Sequence, residues 1–185
     1  IKNKHMNILK KKYKPNFLFV GQLIKRKGLE LLIDAISKVN DTSFNFTIVG
    51  SGPLKEKIKT IKNSNFRYYN FLNKEKLSKI YDKNSILIVP SIFDGWAVTI
   101  IEAMSRGLVI LSNQNVGAFN EYIKHGINGR EIQHNTKSII DEIKFFSNCK
   151  NKIREYGINN RKIFIKNLSN CSLAAIKLEK FLRSN

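Results

Sequence analysis

Two carboxylates, Asp94 and Glu102, stand with seven residues between them. Gly95, Trp96 and Ala97 follow the first, and Ile100, Ile101, Ala103 and Met104 flank the second. That spacing sets Asp94 ahead of a helix start and Glu102 about two turns inside the helix. An acid ahead of a helix is commonly an N-cap, and an acid within one commonly belongs to a solvated face. The neighbours of Glu102 predict instead a buried helix, where a carboxylate needs a partner. A ribose diol, which donates two hydrogen bonds, is a suitable one. The first amides of that helix have no acceptor inside it and are expected to be open to phosphate or sugar oxygens. A second segment, Gly21-Gln22-Leu23-Ile24-Lys25-Arg26-Lys27-Gly28, places three consecutive cations before a further helix start. Cations and helix dipole together make an anion site suited to a diphosphate; the alternative is a solvated basic loop.

The elements that must position these residues alternate along the chain. Apolar runs predict strands over 16–21, 44–50, 66–71, 85–91 and 108–112, with a small sixth within 125–132. Helical spacing is expected over 29–39, from Pro53 onward, over 74–83, over 97–107 with Gly107 as its C-cap, briefly before Ile123, and from Lys137 to the end. The strands are continuous apolar runs, the mark of a parallel sheet covered on both faces. The expected fold is an open, doubly wound α/β domain of Rossmann type over 16–170. Ligands of such folds bind at the carboxyl ends of the strands, so the loops after Val20, Val49, Val89 and Leu111 are where chemistry belongs. Residues 1–15 are polar and basic and read as a linker or the remnant of an interdomain connection. Residues 171–185 read as an amphipathic helix with Leu173, Ile176, Leu178 and Phe181 on its apolar face.

The chain has 185 residues, 33 Lys and Arg, 14 Asp and Glu, and a net charge of +19. No apolar run approaches the roughly 18 residues that span a bilayer. Cys149 and Cys171 lie far apart without a partner motif, which suits a reducing, cytoplasmic setting. His5, His125 and His134 are scattered and predict no metal site. The charge excess has three readings: a compositional bias toward Lys, Asn and Ile, contact with an anionic membrane or acidic substrate, or nucleic-acid binding. No zinc knuckle, aromatic pair or recognition helix supports specific nucleic-acid binding.

The segment from Pro90 to Ser112, PSIFDGWAVTIIEAMSRGLVILS, resembles the signature of the GT4-type glycosyltransferases, a large retaining family of the GT-B fold. The order of the other elements agrees. FLFVGQLIKRKGLELLIDA resembles the family's Gly-Arg-Leu…Lys-Gly opening, FTIVGSGPLKEKI its Val-Gly-x-Gly-Pro turn, and HGINGREI its Asp-Gly-x-Asn-Gly segment. The resemblance covers roughly residues 16–132. It implies that the chain is the donor-binding half of an enzyme moving a sugar from a UDP- or GDP-linked donor to an acceptor hydroxyl, with no metal cofactor. It implies ribose contact by Glu102 and sugar contact by Asp94. Backbone contact with sugar and diphosphate falls to Gly95, Trp96, Ala97 and Val98, and diphosphate neutralisation to Lys27. Gly21 closes the first strand of the opening. Ser51, Gly52, Asn70, Phe71 and Leu72 fall where the family frames the base.

The sequence departs from the family at Gln22, where a phosphate-binding Arg is usual and for which Arg26 or Lys25 is a candidate substitute. It departs also at Asp94 for Glu, Ala97 for Gly, Leu108 for Pro and Asn70 for Gly. The Asp-Gly-Trp variant resembles members that build bacterial surface polysaccharides. The family's amino-terminal acceptor domain has no counterpart in the sequence, so it is an expected partner, against which the helix over 171–185 would pack. A non-catalytic nucleotide-binding remnant, or a subunit that needs a partner, is the alternative.

Overall fold

The computed structural model describes residues 15–39, 43–62 and 64–168. The expected helix over 171–185, Cys171, His5 and all but the last residue of the expected linker lie outside them. Six parallel strands form one sheet: β1 Asn16–Val20, β2 Asn45–Val49, β3 Phe66–Tyr69, β4 Ile86–Ile88, β5 Val109–Ser112 and β6 Gly129–Glu131. Their order is β3-β2-β1-β4-β5-β6. Chain direction across the sheet therefore reverses between β1 and β4, and a crevice opens there at the carboxyl ends.

The helices are α1 Leu29–Lys38, α2 Lys55–Ile58, α3 Lys74–Lys83, α4 Val98–Ser105, α5 Gly117–Tyr122, α6 Thr136–Asn148 and α7 Lys150–Ile163. Successive strand residues point to opposite faces, which explains why the central strands β1, β4 and β5 are apolar at nearly every position. Phe17, Phe19, Phe46, Ile48, Ile86, Ile88, Val109 and Leu111 enter one core with α1, α6 and the start of α7. Leu18, Val49, Leu87, Val89 and Ile110 enter the other with α3, α4 and α5. Phe17, Phe44 and Phe46 pack as a stacked and edge-on trio at the base of the first core.

Local signals start the helices. Asn73 caps α3 by accepting from the Lys76 amide at 3.0 Å, and Asn135 caps α6 by accepting from the Ser138 amide at 2.8 Å. Three expectations need correction. The helix after Pro53 is one turn long and decays into turns, because beyond Leu54 and Ile58 its residues are mostly exposed lysines with no apolar stripe to pack. The helical stretch from Lys137 is broken at Cys149 (φ −112°, ψ 56°), so that α7 runs under the sheet edge from one core to the other. Asn160, fully buried in α7, holds this crossing by donating to the Leu108 carbonyl at 2.7 Å and accepting from Asn128 at 2.8 Å. The segment Lys25–Lys27, expected as loop, is a 3₁₀ turn.

That turn ends at Gly28, where φ is +69° and a Cβ would lie 1.9 Å from the Pro90 carbonyl oxygen. The first loop is thus pressed backbone-to-backbone against the end of β4. Gly28→Ala combines left-handed strain with this overlap and is expected to lower unfolding free energy by about 2–5 kcal/mol. Urea unfolding measures it, and a midpoint unchanged from wild type would refute the close approach.

Candidate active site

At the crevice between β1 and β4 a cleft of about 410 Å³ is lined by Gly21, Gln22, Arg26 and Lys27 from the first loop and by Ser91, Asp94, Trp96, Ala97, Val98 and Thr99 from the fourth. Backbone bonds hold these loops in place. The Ile92 amide donates to the Arg26 carbonyl at 2.8 Å, and the Arg26 guanidinium donates to the Phe93 carbonyl at 2.8 Å. The Lys27 ammonium pairs with Asp94 Oδ2. From the other side the β5–α5 loop braces the fourth: the Asp94 amide donates to the Asn115 carbonyl at 3.0 Å, and the Gly117 amide to the Asp94 carbonyl at 3.1 Å.

Asp94 is doubly engaged, because its Oδ1 also accepts from the Ala97 amide at 3.1 Å. This corrects the expectation that the amides around Ala97 are all open: Asp94 caps that one. Val98 and Thr99 remain the first residues of α4, whose amides have no intrahelical acceptor. Ala97 adopts a left-handed conformation (φ 57°, ψ 72°), the reason a glycine suits this position; here the chain carries the strain with a methyl group. Of the two cations weighed as substitutes at Gln22, Arg26 lines the cleft and Lys25 does not.

Glu102 requires a further correction. The buried stripe of α4 is Ile100, Ala103 and Met104, and Glu102 lies on the exposed side. It already has a protein partner, the Tyr81 hydroxyl, which donates to Oε2 at 2.8 Å. Burial, then the Glu102 charge and this bond, push the Tyr81 phenol well above its ordinary range. Glu102 and Gly95 do not line the cleft at Asp94. Neither do Ser51, Gly52, Asn70, Phe71 and Leu72, although all lie in the loops at the same carboxyl edge. The Ser51 carbonyl accepts from the Leu23 amide at 2.8 Å, which fastens the second loop to the first. Phe71 is 80% exposed, and Leu72 packs on the second core.

Sequence reasoning left two residues without a role. Ser91 is fully buried in the cleft wall with its hydroxyl unpaired, and it was visible only as the Ser of Pro-Ser. Tyr81 falls in the helix expected over 74–83, and nothing in the local sequence marks it. Among the described residues, no three of His, Cys, Asp and Glu cluster as metal ligands.

The doubly wound sheet, with a cationic turn and a helix start preceded by an acid meeting at its switch point, defines a Rossmann-like α/β domain. The sequence matches the profile of the family described as glycosyl transferases group 1 over residues 1–169, and the chain belongs to that family. An uncharacterized 41.2 kDa protein in the cps region of Klebsiella pneumoniae is 27% identical over 154 residues, covering 80% of this chain and 42% of that protein. An amylovoran biosynthesis glycosyltransferase of Erwinia amylovora is 30% identical over 125 residues, covering 60% of this chain and 30% of that one. The chain thus spans less than half the length of either relative. The fold matches Anabaena HepE, solved in complex with UDP, with a TM-score of 0.76 at 16% identity, covering 100% of this chain and 52% of that one. It matches the C-terminal domain of a group 1 glycosyl transferase (LpcC) from Francisella tularensis with a TM-score of 0.73 at 17% identity, covering 90% and 93% of the two chains.

The Lys27–Asp94 pair is partly shielded, with side chains 18% and 13% exposed. A double-mutant cycle of Lys27→Met and Asp94→Asn is expected to give a coupling of about 1–3 kcal/mol, between the surface and buried limits. A coupling of zero in thermal or urea unfolding would show that the pair does not form.

Proposed function

We propose that this chain is the donor-binding half of a GT4-type, retaining glycosyltransferase of the GT-B fold, using a UDP- or GDP-linked hexose. The observation that carries this reading is the meeting of Lys27, Arg26, Asp94 and the amino end of α4 in one cleft at the switch point. A leaving nucleoside diphosphate develops negative charge as the bond from the anomeric carbon to its phosphate oxygen breaks. Lys27, Arg26 and the Val98 and Thr99 amides meet that charge in place of a resident metal. Asp94 holds the transferred sugar, Glu102 takes the ribose hydroxyls, and the Ser51–Gly52 and Asn70–Leu72 segments frame the base. The acceptor hydroxyl attacks the anomeric carbon and forms the new glycosidic bond with retained configuration, as the bond to the phosphate oxygen breaks and the hydroxyl proton passes to the departing diphosphate.

An acceptor-binding domain that these residues do not include completes the cleft in this reading. The share of its relatives that the chain spans, and its match to an isolated C-terminal domain, support it. Surface-polysaccharide or glycolipid synthesis is the proposed setting, supported by the Asp-Gly-Trp variant and by the relatives' cps-region and amylovoran descriptions. We assign the reaction to the cytoplasmic side of the membrane, where the +19 charge favours peripheral contact with anionic lipid. No helix among the described residues is long and apolar enough to cross a membrane.

Calorimetric titration with UDP, GDP and their sugar conjugates tests the donor site. One of the two nucleotides is expected to bind saturably, and Lys27→Ala to weaken it about tenfold or more, as loss of a charge-assisted contact does. Absence of saturable binding by either nucleotide, with the acceptor domain supplied, sinks the reading.

A further inference from the structure

Tyr81 has no part in the chemistry above, yet the geometry gives it one. Its ring is 3% exposed in the second core, where Leu77 and Ile80 pack with it from α3. Its hydroxyl reaches out of that core to Glu102 Oε2 at 2.8 Å. With its phenol held above the ordinary range, Tyr81 stays protonated at any working pH and acts only as a donor toward this carboxylate.

Glu102 is an exposed glutamate, a side chain that would otherwise sample several rotamers. Anchoring Oε2 restricts the orientations open to its carboxylate. No hydrogen bond reaches Oε1 among the described residues, so that oxygen is presented to whatever approaches α4. The clamp is reinforced one turn further along. Arg106, four residues after Glu102, donates to both oxygens of Asp82 at 3.0 and 3.1 Å and to the Ser78 hydroxyl at 2.8 Å. Two adjacent ties therefore link α3 to α4 and favour the register in which the Tyr81 hydroxyl meets its partner.

We propose that Tyr81 is a positioning residue that presents the Glu102 carboxylate, already oriented, to a vicinal diol, and so sets the preference of the site for a ribonucleotide over its 2′-deoxy counterpart. The proposal rests on the assignment of Glu102 to the ribose hydroxyls made above. A carboxylate held in one orientation accepts from both hydroxyls without losing rotamer freedom on binding, whereas a mobile one loses part of that gain. The 2′-deoxy ligand forgoes one of the two hydrogen bonds and benefits less from the orientation.

The test is calorimetric titration of the full chain with UDP and 2′-deoxy-UDP, or with the guanosine pair if GDP binds more tightly. It compares wild type with Tyr81→Phe and Glu102→Ala. Tyr81→Phe keeps the ring in the core, and melting curves verify that each titration is made on folded protein. Wild type is expected to favour the ribonucleotide. Tyr81→Phe is expected to narrow that preference about 3–10-fold, with 2′-deoxy affinity little changed. Glu102→Ala is expected to abolish it. If Glu102→Ala removes the preference and Tyr81→Phe leaves it intact, the positioning role is wrong while the ribose assignment stands. Equal weakening of both ligands by Tyr81→Phe overturns the proposal in favour of a purely structural role. A preference that survives Glu102→Ala overturns the ribose assignment and this proposal with it.

Discussion

The first and fourth loops occupy one small volume, and the rest of the site follows from how they share it. Gly28 lies beneath the Pro90 carbonyl at a distance no side chain tolerates, and the Ile92 amide reaches the Arg26 carbonyl two residues away. The strand order makes this meeting necessary. Chains leave β1 and β4 toward opposite sides of the sheet, so a crevice opens between them, and its walls are whatever loops first cross it. Once the backbones touch at Gly28 and Pro90, residues 26 and 27 on one side must face residues 93 and 94 on the other. The ion pair of Lys27 with Asp94 is a consequence of backbone contact as much as of charge.

That arrangement leaves Asp94 with two protein partners. It is a helix cap for the Ala97 amide and a counterion for Lys27. In the proposed function, a diphosphate entering the cleft would compete with Asp94 for Lys27, and a sugar with Lys27 for Asp94. In the proposed reaction the ligand therefore exchanges partners with an ordered site and does not fill an empty one. Such exchange limits the ordering that binding must bring about. The left-handed backbone at Ala97 belongs to the same economy of shape, since it turns the chain sharply from the capping acid into α4.

Electrostatics in the cleft differ from those of the molecule at large. The net charge of +19 is spread over the whole chain and acts at long range, drawing anions toward the surface in a salt-dependent way. In the proposed function, discrimination depends on short contacts with direction. Those are, in the cleft, Arg26 tied to the Phe93 carbonyl and Lys27 set against Asp94 and, outside it on α4, Glu102 held by Tyr81. Each such cation or carboxylate is fastened to an element other than its own.

Much of this protein was legible from its residues alone. Apolar runs located β1, β2, β4 and β5 and, less cleanly, β3. The parallel, two-sided sheet followed because β1, β2, β4 and β5 are largely apolar at consecutive positions; β6, Gly-Arg-Glu, was legible only as a short strand after a turn. The grouping of Gly21, Gln22, Arg26 and Lys27 with Asp94, Trp96, Ala97 and Val98 was also legible, since loops that follow parallel strands share the carboxyl edge and the family resemblance pairs these two. Periodicity did not reveal which face of α4 is buried. Glu102 sits beside apolar residues in sequence, but the helix turns it away from them, and its partner Tyr81 is 21 residues distant in the chain. Nor did composition show that Lys25 stays out of the cleft while Arg26 lines it, or that Asp94 accepts from the Ala97 amide while pairing with Lys27. Hydrophobic pattern is a local property, and it sets elements and layers. Pairing between polar groups depends on the separation and rotation of packed elements, and only the tertiary structure decides those.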